Sequence, residues 1–280
     1  MSPHDASPSL PIVAFIGGGN MARSLIGGLL QAGASPARVR VAEPVAALRD
    51  ALAGDFGVQV FPDAAAAATG ADVWVLAVKP QVMRDVCATL APIAQGQQSL
   101  AVSIAAGITS AQIDHWLGGG IAVVRCMPNT PALLGAGVTG LYANAAVNPA
   151  QRDIAQTLLS SAGETVWIDD EALMDAVTAV SGSGPAYVFL LAEALQAAGE
   201  AQGLSPAAAR TLTIETLLGA SRMLAADDTP AAELRRRVTS PNGTTQAAIE
   251  SFERDGFRDI VARAVHAARV RGAELAAAND

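Results

Sequence analysis

Through the first half of the chain, short runs of Val, Ile and Leu alternate with longer, Ala-rich stretches that carry apolar residues at helical spacing. The apolar runs are Ile12–Ile16, Val39–Ala42, Val58–Val60, Val73–Val78, Leu100–Ile104 and Ala122–Cys126. Each is too short for a helix and reads as a strand, and Ile12–Ile16 as one buried on both faces. The stretches between them, beginning with Met21–Ala32, predict helices. Strands alternating with helices predict a parallel, doubly wound α/β sheet. Gly137–Ala143 and Glu164–Ile168, flanking an amphipathic helix from about Pro149 to Ser161, predict two further strands that complete it.

From about Asp170 the period becomes helical throughout. The predicted helices cover Glu171–Val180, Pro185–Gly203, Ser205–Ala226, Pro230–Val238, Thr244–Asp255 and Phe257–Ala278. Gly203-Leu204-Ser205-Pro206 ends one helix and starts the next, with Ser as N-cap and Pro in the first turn. The expected organisation is a loose tail over residues 1–11, a sheet domain over 12–169 and an all-helical domain over 170–280. The Ala/Leu faces of the helical half are broader than a small bundle can bury, which predicts a homo-oligomer.

Composition narrows the ligands. A net charge of −8 argues against nucleic acid and anionic membranes as partners and leaves small metabolites. The core must be mostly aliphatic, since 51% of residues are hydrophobic but only 4% aromatic. Cys87 and Cys126 are too few and too far apart for a disulfide framework or a metal site, and they read as buried small hydrophobes in a reducing compartment. Residues 1–11 lack a basic leader and no run reads as a membrane span, so a soluble, cytoplasmic protein is expected.

In a doubly wound sheet the ligand sits beyond the carboxyl ends of the strands. After the first strand, Gly17, Gly19 and Ala22 stand at G-x-G-x-x-A spacing. That spacing gives a tight turn, bare backbone for a pyrophosphate, and a small residue where helix meets strand. After the second strand comes Glu43, placed to accept both ribose hydroxyls of NAD and to repel a 2′-phosphate; the alternative is a solvated acid at a helix start. After the fourth comes Lys79, the only lysine among eighteen basic residues. A compact ammonium there suits the cofactor's phosphates or ribose, against a chance surface lysine. Ser103–Gly107 and Arg125–Pro131 are small-residue or Pro-rich turns; Met127 reads as core and Arg125 as an ion-pair partner. In the helical half, Ser181-Gly182-Ser183-Gly184-Pro185 admits a close backbone or a ligand. Ser240-Pro241-Asn242-Gly243-Thr244-Thr245 offers hydroxyls and N–H groups that can hold a carboxylate. Ordinary N-capping is the alternative for both.

FIGGGNMA at Phe15–Ala22, AVKPQ at Ala77–Gln81, SIAAGI at Ser103–Ile108, RCMPNTP at Arg125–Pro131, DAVTAVSGSGPAYVF at Asp175–Phe189 and VTSPNGTT at Val238–Thr245 together resemble pyrroline-5-carboxylate reductases. The stretches follow that family's order and spacing. The resemblance implies a Rossmann-type domain followed by a helical dimerisation domain that interlocks two subunits, with dimers assembling into decamers. It implies a cyclic-imine reductase that uses NAD(P)H to make proline. Gly17, Gly18, Gly19, Asn20 and Met21 would then contact the pyrophosphate, and Glu43 would read the adenosine ribose. Ala77, Val78, Lys79, Pro80 and Ala106 would line the nicotinamide half. Glu171 corresponds to an acidic residue near the substrate, and Ser240, Gly243, Thr244 and Thr245 would bind it, with Thr245 at the imine nitrogen.

Two departures stand out. Asn242 replaces a Gly common in relatives, and Asn tolerates a left-handed backbone. Glu43 replaces the smaller or Arg-paired residues of NADPH-preferring relatives and leans this chain toward NADH. The rival readings are a reductase of a related cyclic imine, a hydroxy-acid dehydrogenase of the same plan and a non-catalytic dinucleotide-binding regulator. The dehydrogenase would need a lysine from the helical half, and no lysine occurs after Lys79. The regulator leaves the Ser240–Thr245 turn without a purpose.

Overall fold

The computed structural model describes residues 11–277, so the expected tail lies outside the described residues except for Pro11. The first half runs β1 (Val13–Ile16), α1 (Asn20–Gln31), β2 (Val39–Ala42), α2 (Ala46–Phe56), β3 (Gln59–Phe61), α3 (Ala64–Ala68), β4 (Val73–Leu76), α4 (Pro80–Gln97), β5 (Leu100–Ser103), α5 (Ser110–Trp116), β6 (Val123–Met127), β7 (Gly137–Ala143), α6 (Pro149–Ser160) and β8 (Gly163–Trp167). The strands form one sheet in the order β3-β2-β1-β4-β5-β6-β7-β8.

Every neighbouring pair is parallel except β6 with β7. The link from Met127 to Gly137 holds only a 3₁₀ turn, Thr130–Leu134. That is too little chain for a crossover helix, so β7 must return antiparallel. Both faces of the central strands are buried. Val13, Phe15, Val41 and Val75 pack with Leu25, Ile26 and Leu29 of α1 on one face. Ile16, Trp74 and Leu76 pack with Met83, Cys87 and Leu90 of α4 on the other. The run predicted as a strand to Val78 leaves the sheet at Leu76, where Ala77–Lys79 become the loop that Pro80 turns into a helix.

The second half is helical, as expected. A 3₁₀ turn (Glu171–Leu173) leads into α7 (Met174–Val177), a π-helical turn (Thr178–Gly182), α8 (Gly184–Ala201), α9 (Pro206–Ala226), α10 (Ala231–Arg237), α11 (Thr244–Arg254) and α12 (Phe257–Ala277). The predicted loop at Ser181–Gly184 is therefore a π turn, in which Ser183 N–H reaches Thr178 O at 2.8 Å.

The chain divides into two compact units, one of the described residues through Ser183 together with those from Ala268, the other Gly184–Ala267. By packing, residues 171–183 and the end of α12 group with the sheet. Residues 171–183 are held to the sheet by Arg125, which pairs with Glu171 and Asp175, and by Asn129 Nδ2, which donates to Ser181 O. Gly272 of α12 lies against Asp175. In the second unit α8 and α9 pack as a hairpin, with Gly199 close to Leu204 and Ala209. Among the described residues no helix is long and apolar enough to cross a membrane.

Candidate active site

From β1 the chain proceeds to β2 on one side of the sheet, and from β4 to β5 on the other. The carboxyl ends of β1 and β4 are therefore the switch point where such sheets open a crevice. The glycine turn fills this position. Gly17 has φ +106°, and its N–H donates to Ala42 O at 2.9 Å while Ala77 N–H donates to Ile16 O at 2.9 Å. A Cβ on Gly17 would stand 2.7 Å from Ala77 O, so a side chain there is excluded by both backbone conformation and space. Gly19 is the N-cap of α1 and has open space where a side chain would be. No side chain caps α1 and its first turn holds no acid, so the N–H groups of this twelve-residue helix are left for an anion. This cradle fits a dinucleotide pyrophosphate.

Glu43 follows β2, is only 8% exposed, and turns into the glycine turn. Its Oε2 accepts from Gly18 N–H at 3.3 Å and its Oε1 from Val45 N–H at 3.0 Å. Arg49 Nη1 donates to the carbonyls of Glu43 and Pro44, both at 2.8 Å. Gly17, Gly18, Glu43 and Ala77 are thus brought together. Asn20 and Met21 form the first turn of α1, Lys79 is the exposed N-cap of α4, and Pro80 is that helix's first residue. Ala106 is exposed on the loop after β5.

Glu171, expected near the substrate, bonds within the sheet unit. Both its oxygens are engaged, Oε1 by Ser110 N–H (2.7 Å) and Arg125 Nη1 (3.3 Å), and Oε2 by Ser110 Oγ (2.6 Å). Ser110 and Asp175 were not singled out from the sequence. The available signal was Arg125, a charge inside an apolar strand, which has to find acids.

Ser240, Gly243, Thr244 and Thr245 share one turn in the second unit. Asn242 adopts φ +59°, the left-handed conformation anticipated for it, and Gly243 N–H closes the turn on Ser240 O at 3.0 Å. Gly243 caps α11 without a side-chain bond, while Asn242 N–H is satisfied by Gln246 Oε1 at 2.8 Å. Among the described residues, none bonds the hydroxyls of Ser240, Thr244 or Thr245. Hydroxyls and an uncapped helix start are all donors that a carboxylate can accept from. Among the described residues there is no cluster of His, Cys, Asp and Glu able to hold a metal. Burial pushes the Cys87 thiol up to about 12 and the Cys126 thiol higher still, so neither is a nucleophile near neutral pH.

Residues 12–107 match a family model described as NADP oxidoreductase coenzyme F420-dependent, and residues 171–275 match one described as pyrroline-5-carboxylate reductase dimerisation. The pyrroline-5-carboxylate reductase of Pseudomonas aeruginosa is 56% identical over 268 residues, covering 96% of this chain and 98% of its own. Among solved structures, a pyrroline-5-carboxylate reductase from Coxiella burnetii superposes with a TM-score of 0.92 at 41% identity, covering 95% of this chain and 98% of its own. A pyrroline carboxylate reductase from Plasmodium falciparum with NADP bound gives 0.84 at 28% identity, covering 96% of this chain and 99% of its own.

Proposed function

The chain belongs to the pyrroline-5-carboxylate reductase family, and from that premise we propose that it reduces the cyclic imine L-1-pyrroline-5-carboxylate to L-proline with NADH as the preferred reductant. The observation that carries the cofactor half is a helix N-terminus left uncapped behind a turn of glycines. The N–H groups from Gly19 to Met21 hold the pyrophosphate. Ala77 and Ala106 supply small side chains that let the nicotinamide ring lie against backbone, Val78 and Pro80 line it, and the Lys79 ammonium pairs with phosphate or ribose oxygens. When bound, the reduced nicotinamide supplies a hydride.

The imine is already activated when its ring nitrogen is protonated, so the chain needs to orient more than to catalyse proton transfer. Ser240, Gly243 and Thr244 hold the carboxylate, and Thr245 Oγ1 accepts a hydrogen bond from the protonated ring nitrogen. The nitrogen keeps that proton as the imine carbon gains the hydride, which gives the amine of proline. The helical segments dimerise the chain, with interlocked dimers as the building block of a decamer. Two free thiols fit the cytoplasm.

Glu43 supports the NADH reading because a buried carboxylate beside the ribose site repels a 2′-phosphate. Loss of reduced-nicotinamide absorbance, followed on adding pyrroline-5-carboxylate with NADH and NADPH in parallel, tests both halves. Turnover is expected with a higher kcat/KM for NADH, and Glu43→Ser should lower the NADH/NADPH ratio by about tenfold, a difference of roughly 1.4 kcal/mol. Saturable cofactor binding without turnover would sink the reductase reading. A ratio unmoved by the substitution would sink the role of Glu43.

A further inference from the structure

Arg125 is the one charged residue of β6 and is 5% exposed. A guanidinium buried so far requires anionic partners, and it finds Glu171 at 3.3 Å and Asp175 at 3.6 Å. Glu171 passes that fixation on. It grips Ser110 by both the backbone N–H and the hydroxyl, through charge-assisted bonds of 2.7 and 2.6 Å. Ser110 begins α5, directly after the irregular loop 104–109 that carries Ala106. The other end of the loop is tied to the same arginine's strand, since Ser103 lies beside Arg125 in the sheet register and its Oγ accepts from Ala105 N–H at 3.3 Å.

We propose that Glu171 is a positioning residue, which with Arg125 clamps Ser110 and so fixes where the 104–109 loop presents Ala106 to the nicotinamide ring. The proposal rests on the reading of Ala106 given under Proposed function. It assigns Glu171 no contact with substrate: the bonds its carboxylate makes go to Ser110 and Arg125. Hydride donor and acceptor must be held about 3–3.5 Å apart to within a fraction of an ångström, so slack in this loop reaches the rate before it reaches substrate affinity.

The test is steady-state kinetics of the full chain, wild type against Glu171→Gln, Ser110→Ala and the double variant, with pyrroline-5-carboxylate and NADH varied separately and melting temperatures recorded. Glu171→Gln keeps an acceptor for Ser110 N–H but loses the charge. It is expected to lower kcat about tenfold, and Ser110→Ala about threefold, with the substrate KM held within about twofold. The double variant should be no worse than Glu171→Gln alone, because one clamp is broken either way. A substrate KM raised about tenfold by Glu171→Gln, with Ser110→Ala silent, would mean that Glu171 touches the substrate and would overturn the clamp. So would variants that melt earlier yet keep the wild-type kcat, which is what a purely structural ion pair gives. A wild-type chain that does not turn over would remove the reductase reading and the clamp together, whereas a working wild type with silent variants would remove only the clamp.

Discussion

At Thr245 the proposed chemistry rests on one hydroxyl at the start of α11, which can be removed with little disturbance to the fold because no other described residue bonds it. Thr245→Ala should lower kcat by about 10–100-fold while the NADH dissociation constant stays within about twofold. Stopped-flow turnover beside fluorescence titration would show this, and equal loss of both would count against the role. The two cysteines make a different prediction. Their thiols are buried, and burial disfavours the thiolate, raising both pKa values far above pH 8. A thiol reagent at pH 8 should therefore label neither until denaturant is added, and then both. Immediate labelling of the native chain would show that the burial is wrong. At this scale the sequence made some placements legible and hid others. The end of the second apolar run put Glu43 just after β2, yet its bond to Gly18 was unreadable, because the glycine turn and β2 meet only through sheet pairing. Arg125 announced a need for acids, but Glu171 lies 46 positions away and only the fold selects it.

Helices and strands were more legible than their junctions. Side-chain periodicity is a local signal, so β2 and β7 fall within the predicted bounds and the other strands within a residue or two. Direction is not local. The reversal at β7 is set by the length of the link before it, and the π turn at Thr178–Gly182 depends on Asn129, whose side chain also accepts from Val138 N–H at 3.0 Å. Alternating Ser and Gly look the same in a cap, a loop or a π turn. Caps themselves can be tested one at a time. Asn148 opens α6 with a reciprocal pair, accepting from Gln151 N–H at 2.9 Å while Gln151 Oε1 accepts from Asn148 N–H at 3.0 Å. Asn148→Ala removes the first of these and should cost ~1 kcal/mol, read as a melting temperature lower by about 2–4 °C with kinetics unchanged.

Across the whole molecule, the sheet unit buries its apolar residues and the helical unit does not. Among the described residues, α8, α10, α11 and α12 contain none that is buried, and Phe189 and Leu190 of α8 are 67% and 66% exposed. Surfaces of this kind are covered by another chain, in keeping with the dimerisation model matched over residues 171–275. Phe189→Asp removes roughly 1.5–3 kcal/mol of burial from each subunit of such a contact and adds a charge to it. Sedimentation should shift to a single chain at micromolar concentration, and an unchanged coefficient would move the interface elsewhere. That an oligomer forms was legible from the breadth of the apolar faces. The packing of residues 171–183 on the sheet unit was not legible, because they share the helical period of α8 and α9 and are held there by Arg125, Asn129, Ser110 and the contact of Val177 with Gly140. The return of α12 to the sheet unit also bears on synthesis. The ribosome makes Gly184–Ala267 before it makes the residues that lie against Asp175 and Gly107. At roughly 5–20 residues per second this is a delay of roughly 4–17 s, during which the nascent cofactor-side unit is incomplete and open to chaperones, although its whole sheet has already emerged.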